Sequence, residues 1–303
     1  MDDSVLTERL RSALRSGADL PDEREALCTL LDVYALHLAP ITDLDGAATW
    51  QHHPDVAALK GTLEARFRAR LGDVPCPVGD DPAESFRRLA RDDVAGPVYE
   101  WLAADADRDE LIEFISLEGG PDADFDDLVA LCQIGLVGLP KLTLARNYWD
   151  EMGRGELSSV HTELHRDMVR ALRLRAVPVD ELPTQALERK ALNGYLATNR
   201  ALQPELLGSL GLIECQAGPR CRKVAAGMRR LGLPAGALPF YEEHATADPR
   251  HGKDWVAQAI VPLVDERPEW GPRIRRGAQW RATVNRDFFV AMARSFGVLA
   301  DAA

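Results

Sequence analysis

The chain has 303 residues, of which 46% are hydrophobic and 28% charged, a composition typical of a folded globular protein. Its net charge of -12 argues against binding to nucleic acid, which requires a basic footprint for the phosphates. No segment approaches the ~20 apolar residues that span a bilayer, and the acidic N-terminus lacks the basic start and apolar core of a signal peptide. We therefore expect a cytoplasmic protein that binds neither nucleic acid nor a membrane.

Cysteine usage fits a reducing compartment. The number of cysteines is odd and no CxxC pair occurs, so neither a disulfide framework nor a structural zinc site is indicated. The five residues are Cys28, Cys76, Cys132, Cys215 and Cys221.

The N-terminal part predicts three amphipathic helices, because apolar residues recur there at helical spacing. The first contains Leu6 and Leu10, the second ends before Pro40, and the third covers about 54–71. A segment rich in Pro, Gly and Asp follows over 73–82 and predicts a boundary. Residues 1–75 are therefore predicted to be a helical extension that forms a separate domain, a cover on the main bundle or a dimer interface.

The remaining chain, residues 83–300, predicts one all-α bundle, because no run of alternating β-branched residues occurs in it. Helical runs are predicted over about 83–94, 97–118, 124–136, 140–152, 156–174, 184–214, 219–231, 236–247, 252–265 and 269–297. The predicted breakers between them are Gly119-Gly120-Pro121, Gly153-Arg154-Gly155, Gly218-Pro219 and Gly232-Leu233-Pro234. In such bundles, active-site groups project inward from facing helices.

The most informative segment contains His244, Asp248 and His251 at i, i+4 and i+7. At about 100° per residue these offsets place all three on one helix face. Two imidazoles and a carboxylate suit a divalent metal such as iron, although an exposed polar helix with incidental histidines is an alternative. Pro249 lies inside the motif and is expected to remove a backbone hydrogen bond or kink the helix.

Further acidic and histidine residues are candidates for the same site. Gly153 and Gly155 separate Glu151 from His161, so helical spacing does not fix where these two point, and His165 competes with His161 as a ligand. Taken alone, Glu151 also fits a surface carboxylate.

Glu214 is predicted to end a strongly apolar helix, where a buried carboxylate would need a partner or a metal. Glu113 and Glu118 are alternatives for one further position, because they are five residues apart and point in different directions.

Together these residues resemble the heme-oxygenase-like diiron oxidases, also called iron-containing redox enzymes. The resemblance covers roughly 95–300. It depends on a Leu-Glu-Gly helix end, an Asp-Glu-x-Gly-x-Gly segment followed by a histidine, an isolated glutamate after an apolar helix, and His-x3-Asp-x2-His, which is the most specific feature. It implies a heme-oxygenase-like helical bundle whose metal ligands are Glu118, Glu151, His161, Glu214, His244, Asp248 and His251.

The resemblance further implies two Fe(II) ions per chain and O2 as co-substrate. The implied activity is a non-heme, O2-dependent oxidation of a small amine, amino acid or carboxylate in specialised metabolism, by N-oxygenation or oxidative C–C cleavage. A homodimer is a further expectation. Two alternatives remain: a thiamin-salvage-type hydrolase on the same bundle with Cys215 as nucleophile, and a non-catalytic helical binding protein. A heme protein would leave most of these ligands unexplained.

Overall fold

A computed structural model of the chain describes residues 5–16, 22–74, 81–118 and 125–299. All regular elements in these ranges are helical and none is a strand, which confirms the predicted all-α fold. Within the same ranges, no helix combines the length and apolar character needed to cross a membrane.

The α-helices are α1 (Val5–Ser16), α2 (Glu23–Leu38), α3 (Ile41–Leu44), α4 (Pro54–Leu71), α5 (Pro82–Arg91), α6 (Gly96–Ala104), α7 (Arg108–Glu118), α8 (Phe125–Cys132), α9 (Gly138–Glu151), α10 (His161–Leu172), α11 (Thr184–Ala197), α12 (Gln203–Arg230), α13 (Pro239–Asp254), α14 (Val261–Glu266) and α15 (Trp270–Ser295). Short 3-10 turns cover Asp45–Trp50, Gly153–Gly155, Leu157–Ser159, Arg200–Leu202 and Ala235–Ala237, and a π-helical segment, Trp255–Ile260, joins α13 to α14.

The N-terminal helices pack on the bundle and share its hydrophobic core. Tyr34 of α2 lies against α11, where a Cβ on Gly194 would come within 2.2 Å of the ring. Arg24 donates to the carbonyl oxygens of Leu182 at 2.6 Å and Asp180 at 2.5 Å. This packing fits a cover on the bundle. The division into two domains stays a prediction, since much of the predicted boundary lies outside the described residues.

Helix α12 is the centre of the bundle, and its extent differs from the prediction. The sequence predicts one helix over 184–214 and a break at Gly218-Pro219, whereas α12 continues through Pro219 and the break falls at 198–202. The prediction of Glu214 at a helix end is therefore wrong, because this residue lies in the middle of α12. Packing on several sides stabilises a buried helix enough to tolerate one missing hydrogen bond.

The predicted helix over 97–118 is two helices, α6 and α7, separated by a short turn. Asp107 in this turn accepts hydrogen bonds from the backbone N–H groups of Asp109 and Glu110, both at 2.9 Å. A carboxylate in this position satisfies the first free N–H groups of a helix, so it begins α7 in a new direction.

Candidate metal centre

The seven residues predicted as ligands are brought together from five helices, α7, α9, α10, α12 and α13. One cavity of about 90 Å³ is lined by five of them: Glu118, Glu151, Glu214, His244 and Asp248. His161 stands beside this set, with Nδ1 2.6 Å from Oε2 of Glu151. His251 also lies beside this set, with its Nδ1 3.6 Å from Oε2 of Glu214. Residues separated by more than 130 positions thus form one cluster.

Ligand atoms of this cluster form two overlapping groups. In the first, atoms of Glu151, His161 and His244 all lie within 4.8 Å of one another. In the second, atoms of Glu151, Glu214 and His251 satisfy the same limit. Glu151 belongs to both groups, and each group is a candidate position for a cation.

The turn between α9 and α10 brings His161 next to Glu151. Gly153 adopts φ +58°, and a Cβ there would meet the backbone of Ser159 at 2.5 Å. Arg154 has φ 55° and Gly155 has φ 92°, so three consecutive residues are left-handed. Such a turn strongly favours glycine at its closest approach. The predicted chain break is therefore present, and it folds the backbone back instead of separating the two ligands.

Outer hydrogen bonds orient the ligand side chains. His244 Nδ1 is 2.7 Å from the carbonyl oxygen of Phe240, which leaves Nε2 for a metal. His251 Nε2 is 3.0 Å from Oδ2 of Asp150, which leaves Nδ1 directed at the other carboxylates. The amide of Asn147 donates to Oε1 of Glu214 at 2.6 Å. Histidine ligands of metals commonly donate their second ring N–H to a carboxylate or carbonyl in this way.

Asn147 and Asp150 were not predicted from the sequence. Asn147 lies four residues before Glu151, so both occupy one face of α9, and this spacing was an available signal. Asp150 gave no such signal, because adjacent residues on a helix point in different directions. Its role depends on α13 packing beside α9.

Several polar atoms of the cluster are buried without a partner. Among the described residues, Oδ2 of Asp248, Nδ1 of His251 and Nε2 of His161 make no hydrogen bond. The side chains are only 2–5% exposed. Orphaned buried polar atoms cost free energy, and a cation would satisfy these atoms together. The donor set therefore fits a divalent metal.

The electrostatics of the cluster point the same way. Burial raises the pKa of Glu151 to about 7 and also raises the pKa of Glu214. Burial lowers the pKa of His161, which favours the neutral imidazole that binds metals. For His251 burial alone would lower the pKa, but the carboxylates of Asp248 and Glu214 outweigh it and raise it to about 11. In the metal-free site, the proton on His251 thus compensates the negative charge of the carboxylates, which a bound metal would otherwise compensate.

Pro249 does not interrupt the ligand helix. The predicted runs 236–247 and 252–265 are joined, because α13 continues through this residue. Its ring packs against Gly218 of α12, where a Cβ would lie 2.7 Å from Cδ. The carbonyl of Ala245, which Pro249 cannot bond, instead accepts from Nη2 of Arg222 at 3.4 Å. The proline is accommodated by a neighbouring helix.

The remaining candidates differ in position. Glu118 lines the cavity and accepts a hydrogen bond from the Tyr99 hydroxyl at 3.2 Å, whereas Glu113 is exposed. His165 packs its ring on Phe240, with centroids 5.2 Å apart, and belongs to neither ligand group.

Cys215 is a poor nucleophile in this environment. Burial raises the pKa of its thiol to about 12, and reactive cysteines need the opposite shift.

Comparison with known protein families identifies the relationship. The family described as "Iron-containing redox enzyme" matches residues 113–286, more than half of the chain. The chain belongs to this family. All seven predicted ligands fall inside the matched range, and an iron-containing redox enzyme with an all-α fold agrees with the acidic and histidine cluster. No curated protein matches the chain.

Proposed function

We propose that this iron-containing redox enzyme is a non-heme diiron oxidase or oxygenase that uses O2. The observation that carries the proposal is the pair of three-residue ligand groups that share Glu151. Imidazole and carboxylate are ligands that suit non-heme ferrous iron, and each group contains both. We also propose a cytoplasmic location.

In this proposal Glu151, His161 and His244 would hold one iron, and Glu151, Glu214 and His251 would hold the other. Asp248 and Glu118 supply the remaining carboxylates. When bound, two ferrous ions would supply the electrons that reduce O2. The chain's own contribution is to hold the histidines in one tautomer and to keep four carboxylates out of bulk water.

The substrate is proposed to occupy the same cavity, whose walls are partly aromatic through Tyr99, Phe125 and Phe240. These side chains exclude water from the neighbourhood of the ligands. The substrate is proposed to be a small amine, amino acid or carboxylate. N-oxygenation and oxidative C–C cleavage both remain compatible with one ligand set, because the ligands do not select the reacting bond.

The experiment is an anaerobic titration with ferrous iron, followed by measurement of O2 consumption. Wild-type protein should bind two equivalents and consume O2, whereas His244→Ala and His251→Ala should lose iron and consume none. His165→Ala is the matched control, since it removes a nearby histidine outside both ligand groups. Full iron content in either ligand variant would contradict the proposal. Iron-independent turnover sensitive to iodoacetamide would favour a hydrolase, and absence of both activities a binding protein.

A further inference from the structure

Helix α9 and the segment before it expose many large hydrophobic side chains. Of ten such exposed side chains in the described part of the chain, five lie within residues 134–149. Leu139, Leu142 and Trp149 share one side of α9 with Arg146, because their offsets return to similar helical angles. Clustered exposed apolar side chains of this kind mark an interaction site. We call this surface the α9 face; its apolar members are Ile134, Val137, Leu139, Leu142 and Trp149.

The charge of the α9 face is opposite to that of the chain as a whole. The net charge is -12, yet residues 128–149 contain no Asp or Glu. Lys141, Arg146 and Arg200 are exposed, and within the described ranges none of them forms an ion pair. Arg146 donates to the side chain of a glutamine on the π-helical segment at 2.7 Å, and Arg200 to the carbonyl oxygen of Ile134 at 3.0 Å. The apolar side chains are therefore surrounded by uncompensated positive charge.

The α9 face borders a cavity that reaches the outer partners of the metal ligands. This cavity has a volume of about 310 Å³, and its walls include Arg146, Asn147, Trp149, Asp150 and His251. Oδ2 of Asp150 lies 3.0 Å from Nε2 of His251 and also accepts a hydrogen bond from Arg250, whose side chain is 60% exposed. Two hydrogen bonds thus connect the protein surface beside the α9 face to a ligand of the proposed metal centre.

The proposed reaction requires electrons at this place. An oxygenation converts RH, O2, two protons and two electrons into ROH and water. A two-electron oxidation of a substrate SH2 with O2, two protons and two electrons gives S and two waters. In both cases two electrons come from outside the substrate, and they leave two ferrous ions, which become ferric. An external one-electron carrier must return them, one at a time, before the next turnover.

A carrier protein must dock near the irons, because electron transfer slows steeply with distance. Complexes of electron-transfer proteins are small, below about 1,200 Å² of buried surface, and charge attraction speeds their encounter. A second copy of this chain in a symmetric pair would bring Lys141 and Arg146 close to their own symmetry mates. A membrane would extend beyond the α9 face to the acidic remainder of the surface. A small acidic protein meets neither difficulty.

We infer that the α9 face docks a small acidic iron–sulfur protein, which transfers electrons one at a time to the ferric irons and is itself oxidised. This inference rests on the proposed diiron function and adds the class of its redox partner. Electrostatic attraction and repulsion are screened beyond about 10 Å at 0.1 M ionic strength. The basic groups of the face therefore decide the attraction, and the acidic charge farther away contributes little.

The first test measures binding of an acidic plant-type [2Fe–2S] ferredoxin to the iron-loaded protein by calorimetry. Lys141→Glu/Arg146→Glu should weaken binding by ~10-fold or more, because each change converts an attraction into a repulsion. Arg108→Glu/Arg173→Glu is the matched control, since both residues are exposed outside the α9 face and the net charge changes equally. If wild type does not bind ferredoxin, or binds it no more tightly than Lys141→Glu/Arg146→Glu does, the inference is wrong.

The apolar part of the face is tested in the same way. Leu142→Ser removes an exposed leucine from the centre of the α9 face and should also weaken ferredoxin binding. Ile41→Ser is its control, because Ile41 is 70% exposed on α3 and lies outside the face. Equal weakening by both substitutions would show that the α9 face has no special role.

The second test measures electron transfer by stopped-flow mixing of reduced ferredoxin with the ferric protein. Reoxidation of ferredoxin should be slower by ~10-fold or more with Lys141→Glu/Arg146→Glu than with wild type. Reduction by dithionite, which needs no docking surface, should proceed at the same rate in both. Equal slowing with dithionite would place the defect in the iron site and overturn the docking role.

Other occupants of the face give distinct results. Wild-type protein should be monomeric in analytical ultracentrifugation and should not sediment with vesicles of phosphatidylserine and phosphatidylcholine. A dimer that Leu142→Ser converts into monomers would assign the face to a second copy, and vesicle binding lost in the same variant would assign it to a membrane. Either result overturns the inference.

Iron content and reaction with O2 separate the two levels of the argument. A wild-type protein that binds no iron would refute the proposed function. A protein that binds two equivalents of iron and is oxidised by O2 after reduction with dithionite, but neither binds ferredoxin nor accepts its electrons, would refute only the docking inference.

Discussion

Asp150 orients the ring of His251, and the substitution Asp150→Asn isolates that contribution. Oδ2 of Asp150 lies 3.0 Å from Nε2 of His251, and Nη1 of Arg154 donates to Oδ1 at 3.2 Å. The carboxylate keeps a proton on Nε2 and thereby directs Nδ1 at Glu214 and Asp248. An amide can instead donate its NH2 to Nε2, which would move the ring proton to Nδ1, the atom proposed to bind iron.

The structure indicates a larger effect on metal binding than on folding. Loss of such an outer partner weakens metal binding by about 10–100-fold, which corresponds to about 1.4–2.7 kcal/mol. The ion pairs of Asp150 with Arg154 and Arg250 involve guanidinium groups that are 54% and 60% exposed. Pairs of this kind contribute about 0–1 kcal/mol each, so the Tm of the metal-free variant should fall by only a few degrees.

The assay is anaerobic competition with a chromophoric ferrous chelator, combined with thermal unfolding with and without iron. Asp167→Asn is the control, because Asp167 forms an exposed ion pair with Arg170 on α10 at 2.6 Å. Neither residue belongs to the ligand cluster. Two equivalents of iron binding to Asp150→Asn with wild-type affinity would refute the orienting role. A large loss of Tm in the metal-free variant would indicate a structural role instead.

Three further predictions concern the turn, the carboxylates and the thiol. Gly153→Ala places a Cβ 2.5 Å from the backbone of Ser159 at φ +58°, so it should lower the free energy of unfolding by about 1–3 kcal/mol and lower the iron content. In the control Gly61→Ala, the added Cβ meets nothing within 4 Å, so iron content should stay unchanged and the Tm should stay unchanged or rise slightly. Burial raises the pKa values of Glu151, to about 7, and Glu214, so the folded metal-free protein binds these protons more tightly than the unfolded chain. The stability of the metal-free protein should therefore fall as pH rises through 7, whereas its iron affinity should rise from pH 6 to 8. Thermal unfolding and chelator competition at both pH values check these two expectations, and a pH-independent iron affinity would contradict the second. Cys215→Ser should keep iron and activity, because burial raises the pKa of the thiol to about 12; loss of turnover with full iron content would show that the thiol is required.

Local sequence patterns were sufficient for the all-α class and for grouping several ligand candidates. Helical periodicity depends only on residues within a few turns, so α1 and α2 were predicted as helices, α2 ends before Pro40 as predicted, and α4 has the predicted bounds, 54–71. The spacing of His244, Asp248 and His251 is equally local. The apolar helix around Glu214 already indicated a buried carboxylate, whereas Glu151 and His161 were assigned as ligands by the family resemblance, because their relative position depends on the glycine turn.

Tertiary structure decided the features that depend on partners distant in sequence. Pro219 stays inside α12 and Pro249 inside α13 because neighbouring helices stabilise both segments. Asp150 reaches His251 only because α9 lies beside the end of α13. Burial and partnership determine the charge state and role of a polar side chain, and both arise from contacts between helices that no local spacing encodes.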